Sequence, residues 1–369
     1  MTEERDIAGF ALPFAAGIFA AAYMPVWWQQ TPVFFLLVVS AGMAALIHPI
    51  HKRLSDSALT TIITVSTLCC GVFIGLSHYS LSISSIGDAG SLTAYASEFG
   101  TRLKDLIFTL PFQDESAKGI LTALITGDRQ HLAPDTIEAF RASGASHILA
   151  LSGLHLGIIY GVLKSILSSF GNRRMTRISR SVLIIAGCGF YTLATGAGPS
   201  IVRAFLFILL GETASLTGRF KSTGHILMSV LFLQLVYDPE SARNVGFQLS
   251  YAAMAAIAYI YPFFKKLWPA RHEEEGLAQK SLRWIWNSAS MSIACQITTG
   301  PLAYLYFGTF PQYFIMTNLI ALPLVGLIIP MGLLAILVQA CGIESNLIAA
   351  VTETLITIMT DCLRTISTL

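Results

Sequence analysis

The sequence predicts an all-α polytopic membrane protein, built as a bundle of ten or eleven helical segments. Of its 369 residues, 54% are hydrophobic and only 12% are charged, against about 25% charged residues in ordinary soluble domains. A membrane-spanning helix needs about 20 mostly apolar residues, so ten of them use roughly 200 residues and leave no room for a large soluble domain. The net charge of +2 excludes a polybasic or acidic tail, so any charged ligand must be handled by local placement.

Apolar runs recur along the whole chain between short polar connections. Each run is long enough, or nearly so, to cross the hydrocarbon core as a helix. The runs lie at 7–24, 33–48, 59–76, 145–167, 181–195, 201–217, 223–237, 245–264, 284–307 and 313–340, with a further run at 343–363.

The short connections predict the orientation of these segments. Fifteen lysines and arginines fall in one alternating set of connections and only Arg243 falls in the other set. Cytoplasmic loops carry the excess of basic residues. We therefore expect a cytoplasmic amino terminus.

The longest polar segment has a helical pattern of its own. Apolar residues recur at helical spacing from Tyr95 to Leu110, as in a helix lying at the membrane interface. A second helix is predicted at 115–127, ending at Gly127, and a third from Pro134 through Phe140. The chain then divides into three parts: three amino-terminal membrane helices at 1–76, an extracytoplasmic or interfacial helical segment at 77–144, and a core of seven or eight membrane segments at 145–369.

Metal and cofactor chemistry have no support in the sequence. The six cysteines lie in or beside apolar runs, and none belongs to a C-x-x-C or Cys/His pattern. His131, His147 and His155 near Asp128 lack the i, i+4 spacing of a helical ligand pair. No phosphate-binding glycine loop occurs. We predict no metal, no cofactor and no nucleotide-driven pumping by this chain.

Polar residues are most unusual in the stretch GASHILALSGLHLG at 144–157, where an apolar run begins. Ser152 and His155 are one helical turn apart. They can hydrogen-bond neighbouring helices, line an aqueous route, or form the dyad of an intramembrane serine hydrolase, which would also need an orienting third group. The neighbouring face carries a small-residue stripe that predicts close helix packing: Gly153, Gly157 and Gly161.

A second unusual stretch is ATGAGPSIVRAFLF at 194–207. Glycines interrupt the membrane segment, and Pro199 suits the first turn of a new helix. Arg203 lies one turn inside, so it must snorkel to the membrane surface, pair with an acid such as Glu212 or Asp128, or meet an anionic substrate near a positive helix start. A third stretch, GFQLSYAAM at 246–254, places Gln248 at the end of a span, where helix-to-helix hydrogen bonds can explain it.

Four blocks in order resemble the ComEC family of competence DNA-uptake channels. The blocks are ITGDRQHLAPDTIEAFRASGASHILALSGLHLG at 125–157, GAGPSIVRAFLFILLGETASLTGR at 196–219, DPESARNVGFQLSYAA at 238–253 and ITTGPLAYLYFGTFPQYFIMTNLIALPLVGLIIPMGLLA at 297–335. The resemblance implies that single-stranded DNA crosses the bacterial cytoplasmic membrane through this bundle during natural transformation. The side chains that would then line the path or contact DNA are Ser146, His147, Ser152, His155, Ser200, Arg203, Gln248 and Asn318. Aromatic faces for base stacking are available in Tyr304, Tyr306, Phe307 and Phe310, although core or interface packing explains these positions better.

The resemblance also bears on partners. Longer relatives carry an oligonucleotide-binding-fold domain and a metallo-β-lactamase-like domain, and we expect neither here, because 77–144 matches helices and no H-x-H-x-D motif occurs. The chain is therefore predicted not to be an enzyme. A DNA receptor, a cytoplasmic motor and a nuclease would come from other chains. The alternatives are a small-molecule secondary transporter, favoured by broken helices and an intramembrane arginine, and the serine hydrolase.

Overall fold

The computed structural model describes residues 2–23, 64–74 apart from 66, 69 and 73, 91–169, 174–217, 222–268, 276–308, 310, 312–343 and 346–368. The predicted span at 33–48 lies outside these residues. The helices are α1 Thr2–Tyr23, α2 Ser91–Phe108, α3 Glu115–Thr126, α4 Pro134–Ala142, α5 Ser146–Leu149, α6 Gly153–Ser168, α7 Arg174–Ala194, α8 Pro199–Leu216, α9 Thr223–Tyr237, a 3₁₀ helix Pro239–Arg243, α10 Val245–Ala255, a π-helix Ala256–Ile260, α11 Tyr261–Lys266, α12 Leu277–Phe307, α13 Phe314–Ala340 and α14 Asn346–Ser367.

The described residues contain no strand, which confirms the all-α prediction. Four helical stretches are long and apolar enough to cross a membrane: Pro199–Leu216, Val245–Lys266, Phe314–Ala340 and Asn346–Ser367. Shorter apolar helices lie at Ile7–Tyr23, Gly153–Ser168 and Thr223–Tyr237. The chain is therefore a multi-pass membrane protein. These helices correspond to the predicted runs at 7–24, 201–217, 223–237, 245–264, 313–340 and 343–363, whereas the runs at 181–195 and 284–307 fall in α7 and α12, which are not among them.

One predicted run is divided. The run at 145–167 forms α5 and α6, and the backbone between them is extended at Ala150 (ψ 129°) and Ser152 (ψ 171°). No proline marks this break in the sequence. The new helix start is instead formed by Ser152, whose side chain accepts a hydrogen bond from the first turn of α6.

The chain divides into two compact units, 1–88 with 218–258 and 89–217 with 259–369. In the first unit, α1 packs on α9 and on helical residues of 64–74 around Phe14, Ile18 and Leu235. Gly17 and Gly71 allow this approach, because a Cβ at Gly17 would collide with the carbonyl oxygen of Leu68 and one at Gly71 with that of Phe14.

In the second unit, α3 is the centre of the core. Its residues 117–126 are all buried, and Leu121 and Ile125 pack against α13 and α14. Asp114 caps its start by accepting a hydrogen bond from the Ser116 N–H. Gly127 ends it with a left-handed φ of 78°. The helix therefore ends where the sequence predicts, at the edge of the candidate site.

Candidate functional site at two helix starts

A cavity of about 180 Å³ lies where two of the quoted sequence blocks, 125–157 and 196–219, meet in the second unit. The carboxyl end of α3, the break before α6 and the first turn of α8 form its walls. Its lining residues are Thr126, Gly127, Leu151, Thr195, Gly198, Pro199, Ser200 and Ile201. Beside it, Ala197 has a φ of 48°, a conformation uncommon for a residue other than glycine. Such backbone strain is typical of functional sites.

The Ser152–His155 pair forms the start of α6. Ser152 is the N-cap: its Oγ accepts from the Leu154 N–H at 3.3 Å, and His155 Nδ1 accepts from the Ser152 N–H at 3.1 Å. Ser152 Oγ also lies 3.0 Å from Nδ1. Because Nδ1 accepts, the proton of the neutral ring is on Nε2, which is buried and finds no partner among the described residues. The sequence predicted this contact but not its role as a cap.

Arg203 lies one turn inside α8 and is 1% exposed. Its Nη2 donates to Ser200 Oγ at 3.2 Å. Pro199 is the first residue of the helix, and no side chain caps it. The guanidinium and the positive end of the helix dipole therefore lie beside the same cavity wall.

Both acids considered as partners of Arg203 are bonded to other groups. Asp128 accepts from Lys104 Nζ at 2.6 Å. Glu212 lies nine residues along α8 from Arg203, about 13 Å of helix, and accepts from Tyr160 Oη at 2.8 Å and Ser181 Oγ at 2.6 Å. The structure therefore gives no support to an Arg203–Glu212 or Arg203–Asp128 pair.

The loop after α3 adds charge to this edge. The hydrogen bond from Lys104, with a further one from the Gln130 N–H, lowers the pKa of Asp128 below its ordinary value. Arg129 Nε donates to the Leu149 carbonyl at 3.1 Å, which ties the loop to the end of α5. Lys104 and Asp128 therefore pair with each other, while Arg129 is bonded to a backbone carbonyl.

A polar network that the sequence analysis missed joins α6, α7 and α8. Glu212 is 6% exposed and receives its two hydroxyl donors from α6 and α7. Lys164 Nζ donates to Tyr160 Oη at 2.6 Å and lies 3.7 Å from the Glu212 carboxylate. Because α6 and α8 carry the two helix starts, this network fixes their relative position. Its members are 31 and 52 residues apart in sequence, so no local pattern reveals it.

The remaining predicted lining residues lie elsewhere. Ser146 and His147 are exposed on α5, and His147 Nδ1 lies 3.2 Å from the Gly144 carbonyl. Asn318 donates from Nδ2 to Ser292 Oγ at 3.3 Å. In the first unit, Gln248 Nε2 donates to Tyr23 Oη at 3.0 Å and to the Ala242 carbonyl at 2.8 Å. Of the eight predicted residues, Ser200 is the one that lines the cavity.

The small-residue stripe is packed at one end. A Cβ at Gly153 would lie 3.3 Å from the Ala204 Cβ of α8, whereas at Gly157 and Gly161 it would meet no described atom within 4 Å. Helix packing is thus seen at Gly153 and stays a prediction for the other two. Among the described residues, no group of three or more His, Cys, Asp or Glu side chains is placed to hold a metal ion.

Comparison with known proteins identifies the family. The model of the family described as "Competence protein" matches residues 124–369, two thirds of the chain. The chain belongs to the competence protein family. Three similar relatives are "ComE operon protein 3" of Bacillus subtilis (27% identity, 67% of this chain and 30% of the relative), "Competence protein ComA" of Neisseria gonorrhoeae (27%, 56% and 28%) and "Recombination protein 2" of Haemophilus influenzae (24%, 70% and 33%).

The matched region therefore spans about a third of the length of these relatives. No solved structure matches this chain. The family model contains all the residues around the cavity except Lys104, so the two helix starts belong to the part of the competence proteins that this chain shares.

Proposed function

We propose that this chain passes single-stranded DNA across the bacterial cytoplasmic membrane during natural competence. Its family and the names of its relatives support a part in DNA uptake. The apolar helices support passage through a membrane. A separate DNA receptor, a cytoplasmic motor and a nuclease would complete the uptake system.

The observation that carries this proposal is the place of Arg203. It is a buried guanidinium in a candidate span, beside a helix start that opens on a cavity lined by two of the blocks that resemble the family. A phosphate in a low-dielectric setting needs stabilisation, yet a strand held by many fixed charges would stop moving. One buried cation, two helix starts and neutral hydroxyl donors bind phosphate weakly enough for release.

The orientation is part of the proposal. We place the amino terminus in the cytoplasm and 77–144 on the outer side or at the interface, with 145–369 as the channel core. The basic-residue count supports this assignment. The single exception, Arg243, has a structural reason to lie in its loop, because its guanidinium donates to the Ala22 carbonyl at the end of α1.

The Ser152–His155 contact does not favour hydrolysis. A serine hydrolase needs a third group that orients the histidine and donors for an oxyanion. Here Nδ1 accepts the Ser152 backbone N–H, and among the described residues no group holds Nε2. The contact is better explained as the capping box that starts α6.

Uptake by reconstituted vesicles tests the proposal. Purified protein in sealed vesicles is given a labelled 30-nucleotide single strand, and in parallel labelled amino acids and nucleosides. The proposal predicts accumulation of the strand alone, protected from added nuclease and absent from protein-free vesicles. Accumulation of a small solute without the strand would favour the secondary transporter and contradict the proposal.

A further inference from the structure

The carboxyl end of α12 extends well beyond the start of its neighbour α13. Asn318 Nδ2 bonds Ser292 Oγ at 3.3 Å, which fixes the relative height of the two helices. From Ser292, α12 continues for fifteen residues to Phe307, about 22 Å. From Asn318, α13 reaches back only four residues to Phe314, about 6 Å. The last turns of α12 therefore project by about 16 Å, and we call residues 301–310 the aromatic arm.

The aromatic arm is apolar and exposed on several faces. Tyr304, Leu305 and Phe307, which point in different directions around the helix, are 60%, 78% and 62% exposed, and Phe310 beyond it is 50% exposed. A helix that packs on a protein core or lies at the membrane interface has apolar residues on one face and polar or basic residues on the other, whereas a helix that is apolar all round is buried in protein or surrounded by lipid. No lysine, arginine, aspartate or glutamate occurs between 284 and 343. The arm therefore lacks the charges of a lipid-surface helix.

Side-chain amides lie at the root of the arm. A Cβ at Gly300 would be 2.9 Å from Phe310 Cε2 and 3.3 Å from Gln296 Nε2, so the ring and the amide are neighbours that only a glycine accommodates. Gln296 Nε2 and Asn318 Oδ1 are buried and find no hydrogen-bond partner among the described residues. An unpaired buried donor or acceptor costs stability, which argues for a ligand that uses it.

We propose that the aromatic arm and Gln296 form a contact site for nucleobases of the transported strand. The inference rests on the proposed function and adds the recognition of bases to that of phosphates. Aromatic rings stack on any base, and a carboxamide can donate to or accept from many base edges. The phosphates of the strand then meet Arg203, while its bases meet the uncharged arm. Such a site tolerates every sequence, which uptake of arbitrary DNA requires.

Photo-cross-linking tests the contact directly. A single strand containing 5-iodo-deoxyuridine is irradiated with the full chain in lipid nanodiscs, and the adduct is located by mass spectrometry. We expect adducts within 301–310 that fall at least fivefold in Phe310→Leu. The matched control, Phe263→Leu, removes a phenylalanine that is 65% exposed on α11 and should leave the yield unchanged. Adducts confined to other segments, or labelling of the arm by a lipid photoprobe that the strand does not reduce, would overturn the inference.

An abasic strand separates this inference from the proposed function. It has the same phosphates without bases, so we expect about tenfold weaker uptake than for the normal strand. Gln296→Leu should reduce this difference while leaving the melting temperature unchanged or higher, because it removes a buried unpaired donor. Equal uptake of both strands contradicts base contact and leaves phosphate transport standing. If neither strand enters, the proposed function fails, and the cross-linking result decides the inference alone.

Discussion

Two regions use the same residue types in opposite ways. Around the end of α1, glycine and arginine contact backbone: Gly17 lies against the Leu68 carbonyl, and Arg243 donates to the Ala22 carbonyl. In the second unit, Gly157 on α6 leaves open space, and Arg203 bonds the hydroxyl of Ser200 beside the cavity. The first region is closed by its glycines and its arginine, whereas the second keeps room and charge available. Residue type and spacing alone do not separate these two uses.

The largest expected loss of stability follows from a substitution at Gly17. Gly17→Leu places a side chain where the Leu68 backbone lies, so we expect at least about 3 kcal/mol of lost stability or failure to fold. Gly157→Leu is the matched change in the open region and should alter stability by less than about 1 kcal/mol. Thermal unfolding in detergent measures both.

A large loss for Gly157→Leu would break the contrast. It would show that the stripe of Gly153, Gly157 and Gly161 packs against a helix outside the described residues, as the sequence pattern predicts.

The second effect concerns Arg243. Arg243→Leu removes the hydrogen bonds to the last turn of α1, and we expect a loss of about 2 kcal/mol in the free energy of unfolding. Arg177→Leu, an exposed arginine on α7, is the control and should cost less than about 0.5 kcal/mol. Equal effects of the two changes would remove the structural explanation of the one basic residue in its set of short connections.

The smallest expected loss of stability comes from removing the ion pair between Lys104 and Asp128. The Lys104 ammonium lowers the pKa of Asp128, so the pair stabilises the fold above about pH 4 and this stabilisation is lost as the pH falls through the lowered pKa. Lys104→Met should therefore cost about 1 kcal/mol at pH 7, since Lys104 is partly exposed. At pH 2.5 the same change should cost much less.

Lys280→Met, an exposed lysine of α12, serves as the control for charge alone. If the two lysine variants differ as much at pH 2.5 as at pH 7, the carboxylate of Asp128 is not the partner that matters.

The sequence predicted the helices well, because a membrane span is a local property. The run at 223–237 coincides with Thr223–Tyr237. The end of α3 follows from Gly127, and the start of α4 follows from Pro134. The division of the run at 145–167 was not predicted, since its break depends on the Ser152 cap. The partners of Glu212 were also missed, because Tyr160 and Ser181 reach it only through tertiary packing.

The sequence predicted those parts of the site that depend on local helical spacing, and it missed those that depend on tertiary packing. The nearness of Ser152 to His155, and of Ser200 to Arg203, follows from helical spacing. That Ser200 shares a cavity with Thr126 and Thr195 depends on how α3, α7 and α8 pack. Gln296 carried no signal in the sequence, because only its unpaired amide beside Phe310 draws attention to it.

The most direct test of the central claim is the Arg203 series, with DNA uptake and thermal unfolding measured on the same preparations. If Arg203 stabilises phosphate, Arg203→Lys should keep partial uptake, because it keeps the charge but loses the two-donor fork. Arg203→Gln should lose at least 90% of uptake, and both variants should melt within about 3 °C of the parent. A large drop in melting temperature for Arg203→Gln, restored by Glu212→Gln or Asp128→Asn, would contradict the account and make Arg203 a structural ion-pair partner.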